Sequence, residues 1–175
     1  MQMRELDQPE IARVWEIDRS EVIDAIYVVS HGKLLVKEVH YDMSGWPPGE
    51  PEAYQPLLEE CYAHGGTFLG VFREEKLIAV SVLENRFIGP AEDTLQLKFL
   101  HVSHGERGQG LGSMLFRQTA ELAHSRGASK LYISATPAKA TVDFYQRRGC
   151  VLAGYVDPDL YALEPDDIHL EYSLS

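Results

Sequence analysis

The segment Arg107-Gly108-Gln109-Gly110-Leu111-Gly112 restricts what this chain can become more than any other. It follows an apolar, strand-like run from Leu95 to Val102. It opens an amphipathic stretch from Leu111 to Arg126 that reads as a helix. Strand, glycine-rich turn and helix in that order make a cradle for a diphosphate. Glycine takes positive φ and lets the backbone come close to an anion. The first N–H groups of the helix have no internal partner and point outward at the positive end of the helix dipole. The turn is read as a coenzyme-binding loop.

A length of 175 residues sets an expectation of one domain, 1–175, with room for a full core. The formal net charge of −11 argues against nonspecific nucleic-acid binding and against an anionic membrane surface. It suits a cationic substrate, and equally a surface that only has to stay soluble. Cys61 and Cys150 sit in apolar contexts without metal spacing and read as buried thiols of a reducing compartment. The histidines show no ligand spacing; His101 and His104, the one close pair, fall at a strand end, so no metal site is expected. Residues 1–5 carry no signal-type apolar run, and no stretch reaches membrane-spanning length. A cytoplasmic protein without a membrane partner is expected.

Along the chain, Met3 to Leu6 reads as a first strand, and Asp7-Gln8-Pro9 as the cap and first turn of a helix. Val22 to Ser30 and Leu34 to Tyr41 are β-branched and aromatic around His31-Gly32-Lys33, which predicts a β-hairpin in preference to a helix. A loop over 43–51 leads to a helix from Glu52 to His64. Strands follow at Thr67 to Phe72, Leu77 to Phe87 and Leu95 to Val102, then the helix to Arg126 and a strand from Lys130 to Ala135. A helix from Lys139 to Arg148 and terminal strands at Val151 to Val156 and Ile168 to Leu174 complete the order. Asp157 to Asp167 reads as an acidic, proline-bearing loop. The expected fold is one α/β domain with a mixed sheet, its strands at 95–102 and 130–135 parallel through a right-handed crossover.

Two motifs within 67–156 resemble the GCN5-related N-acetyltransferase (GNAT) superfamily. One is Arg107, Gly110 and Gly112 after Leu97, Leu100 and Val102. The other is Leu131-Tyr132-Ile133-Ser134 followed by Phe144-Tyr145 and Gly149. The resemblance implies a mostly antiparallel central sheet, splayed at its parallel strand pair and flanked by about four helices. In this chain the N-terminal hairpin would be an insertion. It implies acetyl-CoA, or another acyl-CoA, as donor. Pantetheine would pair with the backbone of Leu100, His101 and Val102, and the diphosphate would rest on the N–H groups of Arg107, Gly108, Gln109, Gly110, Leu111 and Gly112. Ser113 would add a hydroxyl. Family members often carry Asn seven residues before the tyrosine; here that position is Ala138, and Ser134, Thr136 and Thr141 are the polar groups at hand.

Acyl transfer to an amine needs a neutral nucleophile, donors for the oxyanion and a proton for the leaving thiolate. Tyr145 matches the family's thiolate partner, and a phenol stays protonated at neutral pH. The base is less defined. Gln96 stands where some relatives carry a glutamate and cannot take a proton. Glu84, late in the preceding strand, is the best-placed local carboxylate, with His101, Asp18 or a water chain as alternatives. The Arg107 side chain either pairs with a phosphate or is solvated. Tyr41 and Trp46 are assigned to the acceptor pocket, against Trp46 pinning a loop. The exposed hairpin edge suits pairing in a homodimer. The acidic run from Asp157 to Asp167 is either a rim for cations or a solvated loop.

The function expected is an acetyl-CoA-dependent N-acetyltransferase acting on a primary amine of a small molecule by direct attack in a ternary complex. A protein or peptide amine as acceptor, and a non-catalytic acyl-CoA sensor, are the alternatives. A dinucleotide site is disfavoured, because no acidic residue follows about twenty positions on in a second strand.

Overall fold

Strand residues of this chain alternate between two faces, and that alternation places the helices. On β5 (Lys76–Leu83), Val80 and Val82 point into a core shared with Ile11, Val14, Leu58 and Cys61. Ser81 points the other way, and its hydroxyl lies 2.8 Å from that of Thr119 on α2 (Leu111–Ser125). The sheet is therefore covered on both faces.

The computed structural model describes residues 1–174. The remaining strands are β1 (Gln2–Glu5), β2 (Glu21–Ser30), β3 (Lys33–Met43), β4 (Thr67–Arg73), β6 (Thr94–Val102), β7 (Lys130–Ala135), β8 (Val151–Leu152) and β9 (Ile168–Ser173). The other α-helices are α1 (Glu50–Ala63), α3 (Lys139–Arg147) and α4 (Pro158–Leu163). The main sheet runs β1-β4-β5-β6-β7-β9-β8. Its pairs are antiparallel except β6 and β7, which run parallel through Thr94, Leu95 and Gln96 against Lys130, Leu131 and Tyr132. The expected crossover is present. One buried cluster joins α2 and α3 to β6, β7 and β9 through Phe116, Val142, Tyr145, Leu97, Ile133 and Leu170.

β2 and β3 form the predicted hairpin as a separate two-stranded sheet. It leans on the start of α3: Ile26 bridges to Ala138, the Tyr27 N–H donates to the Pro137 carbonyl, and the Tyr27 hydroxyl donates to Asp143. The backbone at Ala138 thus faces the hairpin.

Three local expectations are corrected. The helix after Asp7 is a 3-10 helix over Gln8–Glu16. Its fully buried residues Ile11, Val14 and, just beyond it, Ile17 recur every third position, the repeat that a 3-10 helix puts in one row. The acidic segment is not all loop. Asp157 accepts hydrogen bonds from the N–H groups of Asp159 and Leu160 and caps α4, with Pro158 in the first turn. The strand from Val151 stops at Leu152, and the one from Leu77 stops at Leu83.

Candidate active site

The parallel pair comes apart because β6 carries one residue too many. Val82 pairs with Phe99 and Leu83 with Leu97, so Lys98 is the extra residue of a bulge. A bulge bends its strand and increases twist. Beyond Gln96, β6 keeps only β5 as partner, while β7 continues along β9. The gap between them is a cavity of about 800 Å³. The bulge left no mark in the sequence pattern, since Lys98 sits within an otherwise alternating run.

One end of the cavity is the glycine turn. Gly108 and Gly110 have φ of +81° and +83°, the left-handed region that favours glycine. Among the described residues, the N–H groups of Gly108 through Ser113 have no protein acceptor; the first bond of the helix is Met114 N–H to the Gly110 carbonyl. Gly112 is required for a different reason: a Cβ there would come within 3.2 Å of the Phe144 ring. Arg107 turns its side chain to the protein, donating through Nε to the Val102 carbonyl at 3.0 Å, with Glu21 at 3.7 Å. The cation at this end with no ion-pair partner among the described residues is Arg148, which the sequence reading passed over. It stacks on Phe144, donates to the Phe144 carbonyl at 2.7 Å and to the Ser113 hydroxyl, and keeps a buried Nε without a partner.

Leu100, His101, Val102, Arg107, Gly108, Gly110, Leu111, Gly112, Ser113, Ser134 and Tyr145 all line the cavity. Gln109 does not; its side chain donates to Glu106. Tyr145 is buried on the β7 side, and its hydroxyl has no hydrogen-bond partner among the described residues. Burial pushes its phenol above the ordinary range, so it holds its proton. His101 lies edge-on to Trp46 and Phe99, with ring centres 4.9 Å and 5.1 Å away. Burial, with Arg19 and Arg107 nearby, pulls its imidazole down to about 3, which makes it a weak proton acceptor.

The other end is acidic. Glu50 from α1, Glu164 from the end of α4 and Asp167 just before β9 all face the cavity with Arg19 and Tyr54. Arg19 pairs with Glu50 at 2.6 Å. The Tyr54 hydroxyl donates to Glu164, and the Ser134 hydroxyl donates to Asp167 at 2.8 Å. Burial raises Glu50, opposed by Arg19, and burial pushes Asp167 up to about 7 against the bond from Ser134.

Three expected site residues are elsewhere. Glu84 is buried outside the cavity beside Cys61, its carboxylate accepting from the Asn85 N–H at 3.0 Å. Tyr41 lies exposed on β3, opposite Ile23. Trp46 turns inward, donating to the Ile17 carbonyl at 2.9 Å and stacking on Phe99; Pro47 and Pro48 beside it do reach the cavity. A tryptophan satisfied on backbone and packed on aromatics supports a pocket wall from behind. Among the described residues no cluster of potential ligands suits a metal ion, and no helix is long and apolar enough to cross a membrane.

A splayed parallel pair with a glycine cradle at one end defines the class of this protein as an α/β domain built to hold an extended, phosphate-bearing ligand. The chain belongs to the acetyltransferase (GNAT) family, whose model matches residues 35–150. It is 35% identical over 68 residues to a streptothricin acetyltransferase of Streptomyces lavendulae, a match spanning 38% of this chain and 35% of that relative. Among solved structures it resembles a nourseothricin acetyltransferase, with a TM-score of 0.70 at 19% identity over 99% of this chain and 98% of the other. A Bacillus anthracis str. Ames protein solved with acetyl coenzyme A gives 0.68 at 17% identity over 97% and 95%. The PaiA N-acetyltransferase of Thermoplasma acidophilum, solved with coenzyme A, gives 0.63 at 15% identity over 98% of each chain. At these identities the structural matches establish the shared fold.

Proposed function

We propose that this chain transfers the acetyl group of acetyl-CoA to a primary amine of a small, cationic molecule, by direct attack while both are bound. The observation that carries the reading is one continuous cavity with an anion cradle at one end and three carboxylates at the other. The N–H groups of Gly108 through Ser113, with Arg148, hold the diphosphate. The open edge of β6 from Leu100 to Val102 offers backbone partners to pantetheine, and its N–H groups face the thioester oxygen as charge develops. Tyr145 gives its proton to the departing thiolate.

Glu50, Glu164 and Asp167 draw an ammonium group to the acetyl end. The wall formed by Pro47, Pro48, Leu160 and Leu163 favours a compact acceptor over a peptide laid along the surface. Two of the relatives are named for acetylation of streptothricin and of nourseothricin, so streptothricin is the first acceptor to try. The test is coenzyme A release with streptothricin, spermidine and a lysine-containing peptide. Turnover of the small amines above the peptide supports the reading. Turnover of the peptide alone moves the acceptor to protein, and acetyl-CoA binding without any turnover favours a sensor.

A further inference from the structure

We infer that Asp167 is the proton acceptor that frees the attacking amine. The inference rests on the acetyl-transfer reading above and supplies the one group that reading lacks.

The geometry selects it by location and partners. Glu84 is outside the cavity, Gln96 lines it but its amide does not accept a proton, and burial leaves His101 a weak proton acceptor. Asp18 is absent from the cavity wall and accepts from the Ser20 N–H at 2.9 Å. Of the five carboxylates that line the cavity, Glu21 lies 3.7 Å from Arg107, Glu106 pairs with Arg73, Glu50 pairs with Arg19, and Glu164 accepts from the Tyr54 hydroxyl. Asp167 accepts only the Ser134 hydroxyl, through Oδ2, and has no cationic partner among its hydrogen bonds. Ser134 is on β7, the strand that borders the gap, so the carboxylate stands at the gap and not at the rim.

Each element packed around Asp167 contributes to its proton affinity. Burial and the like charges of Glu164 and Glu50 raise it; Arg19 and the Ser134 hydroxyl lower it. The balance leaves a carboxyl that takes up and releases a proton near neutral pH, where a general base is most useful. An ammonium entering the acidic end gives one N–H proton to the Asp167 carboxylate. The neutral nitrogen forms a bond to the thioester carbon, the C–S bond breaks, and the sulfur takes the Tyr145 proton. The second proton of the acylated nitrogen passes to the Tyr145 phenolate and restores the phenol; the amide and coenzyme A leave, and Asp167 returns its proton to solvent.

The experiment uses the full chain and its Asp167→Asn and Ser134→Ala variants, with streptothricin and spermidine as acceptors. Acetyl-CoA affinity is measured alongside, and the Asp167 carboxyl is titrated by carbon NMR, its signal assigned by loss in Asp167→Asn. Expected are a wild-type carboxyl midpoint near 7 and a matching rise of kcat/KM with pH. Asp167→Asn should lower kcat by at least ~100-fold, lose that rise, and keep acetyl-CoA affinity within about twofold. Ser134→Ala should move both midpoints upward. An NMR midpoint near 4, or Asp167→Asn turning over within about threefold of wild type, overturns the inference while leaving acetyl transfer in place. A wild-type chain that binds no acetyl-CoA overturns the underlying reading, and the inference with it.

Discussion

The guanidinium carbon of Arg148 lies 3.6 Å from the ring centre of Phe144, whose edge would meet any Cβ placed on Gly112. The two contacts tie the cation of α3's end to the first turn of α2. A positive charge held at the positive end of a helix is unfavourable until an anion arrives. Arg148→Gln should therefore leave folding intact and weaken acetyl-CoA binding by about tenfold or more, the worth of a charge-assisted hydrogen bond of about 1.5–3 kcal/mol. Calorimetry with acetyl-CoA and acetyl-pantetheine checks this. Loss confined to acetyl-CoA is expected, and equal loss for both ligands contradicts a phosphate role.

Tyr145→Phe removes a hydroxyl that has no hydrogen-bond partner among the described residues. Thermal stability should stay within a degree or two, acetyl-CoA affinity within about twofold, and kcat should fall on the order of 100-fold. Unchanged turnover at saturating substrate would make Tyr145 a packing residue between Phe116 and Phe144.

Asp167 also sets a pH dependence of stability. Its carboxyl has an ordinary value of 3.8 and titrates near 7 in the folded chain, so between those values the folded state holds a proton that the unfolded state has lost. Its contribution to stability therefore falls as pH rises from about 4 to 7, then levels off. Asp167→Asn removes that loss. Its melting temperature should match wild type near pH 4 and exceed it by several degrees at pH 8. A variant less stable than wild type at pH 8 would show the carboxylate to be stabilising.

The hairpin is fastened to the body partly through Tyr27, whose hydroxyl donates to Asp143 at 2.5 Å, with Lys139 sharing the same carboxylate at 2.7 Å. Tyr27→Phe should cost about 1 kcal/mol, a fall in melting temperature of roughly 2–4 °C. Acetyl-CoA affinity should not change, because Tyr27 is outside the cavity wall.

The end of the cavity proposed for the coenzyme was legible in the sequence because its chemistry is local. The glycine turn, the strand before it and the helix after it are contiguous, so spacing alone brings Gly108, Gly110, Gly112 and Ser113 together. The proposed acceptor end joins Glu50 at the start of α1 to the end of α4 and the approach to β9, more than a hundred residues further along the chain. Glu164 and Asp167 could therefore be read only as part of an acidic run, a rim for cations or a solvated loop, and Glu50 carried no signal. Glu84 seemed better placed because it fell late in an expected strand, and the structure buries it away from the cavity. Asp157-Pro158 carried the same cap-and-proline signal that marked the first helix, and the acidic composition around it masked α4. The three-residue repeat of Ile11, Val14 and Ile17 was likewise visible and distinguishes a 3-10 row from an α-helical stripe.

The central claim is that the turn at 107–112 holds the diphosphate of acetyl-CoA. Calorimetric titration of wild type and Gly110→Asp with acetyl-CoA, using NAD as control, tests it most directly. Space around Gly110 is open, and although φ of +83° strains any side chain, aspartate is among the residues that tolerate the left-handed region, so the variant should fold with a cost of about 1–2 kcal/mol. Its carboxylate would face the phosphates, a like-charge contact worth several kcal/mol. The account predicts binding of acetyl-CoA and not NAD by wild type, and affinity at least ~100-fold weaker in the variant. Equal acetyl-CoA affinity in a folded Gly110→Asp protein would contradict it.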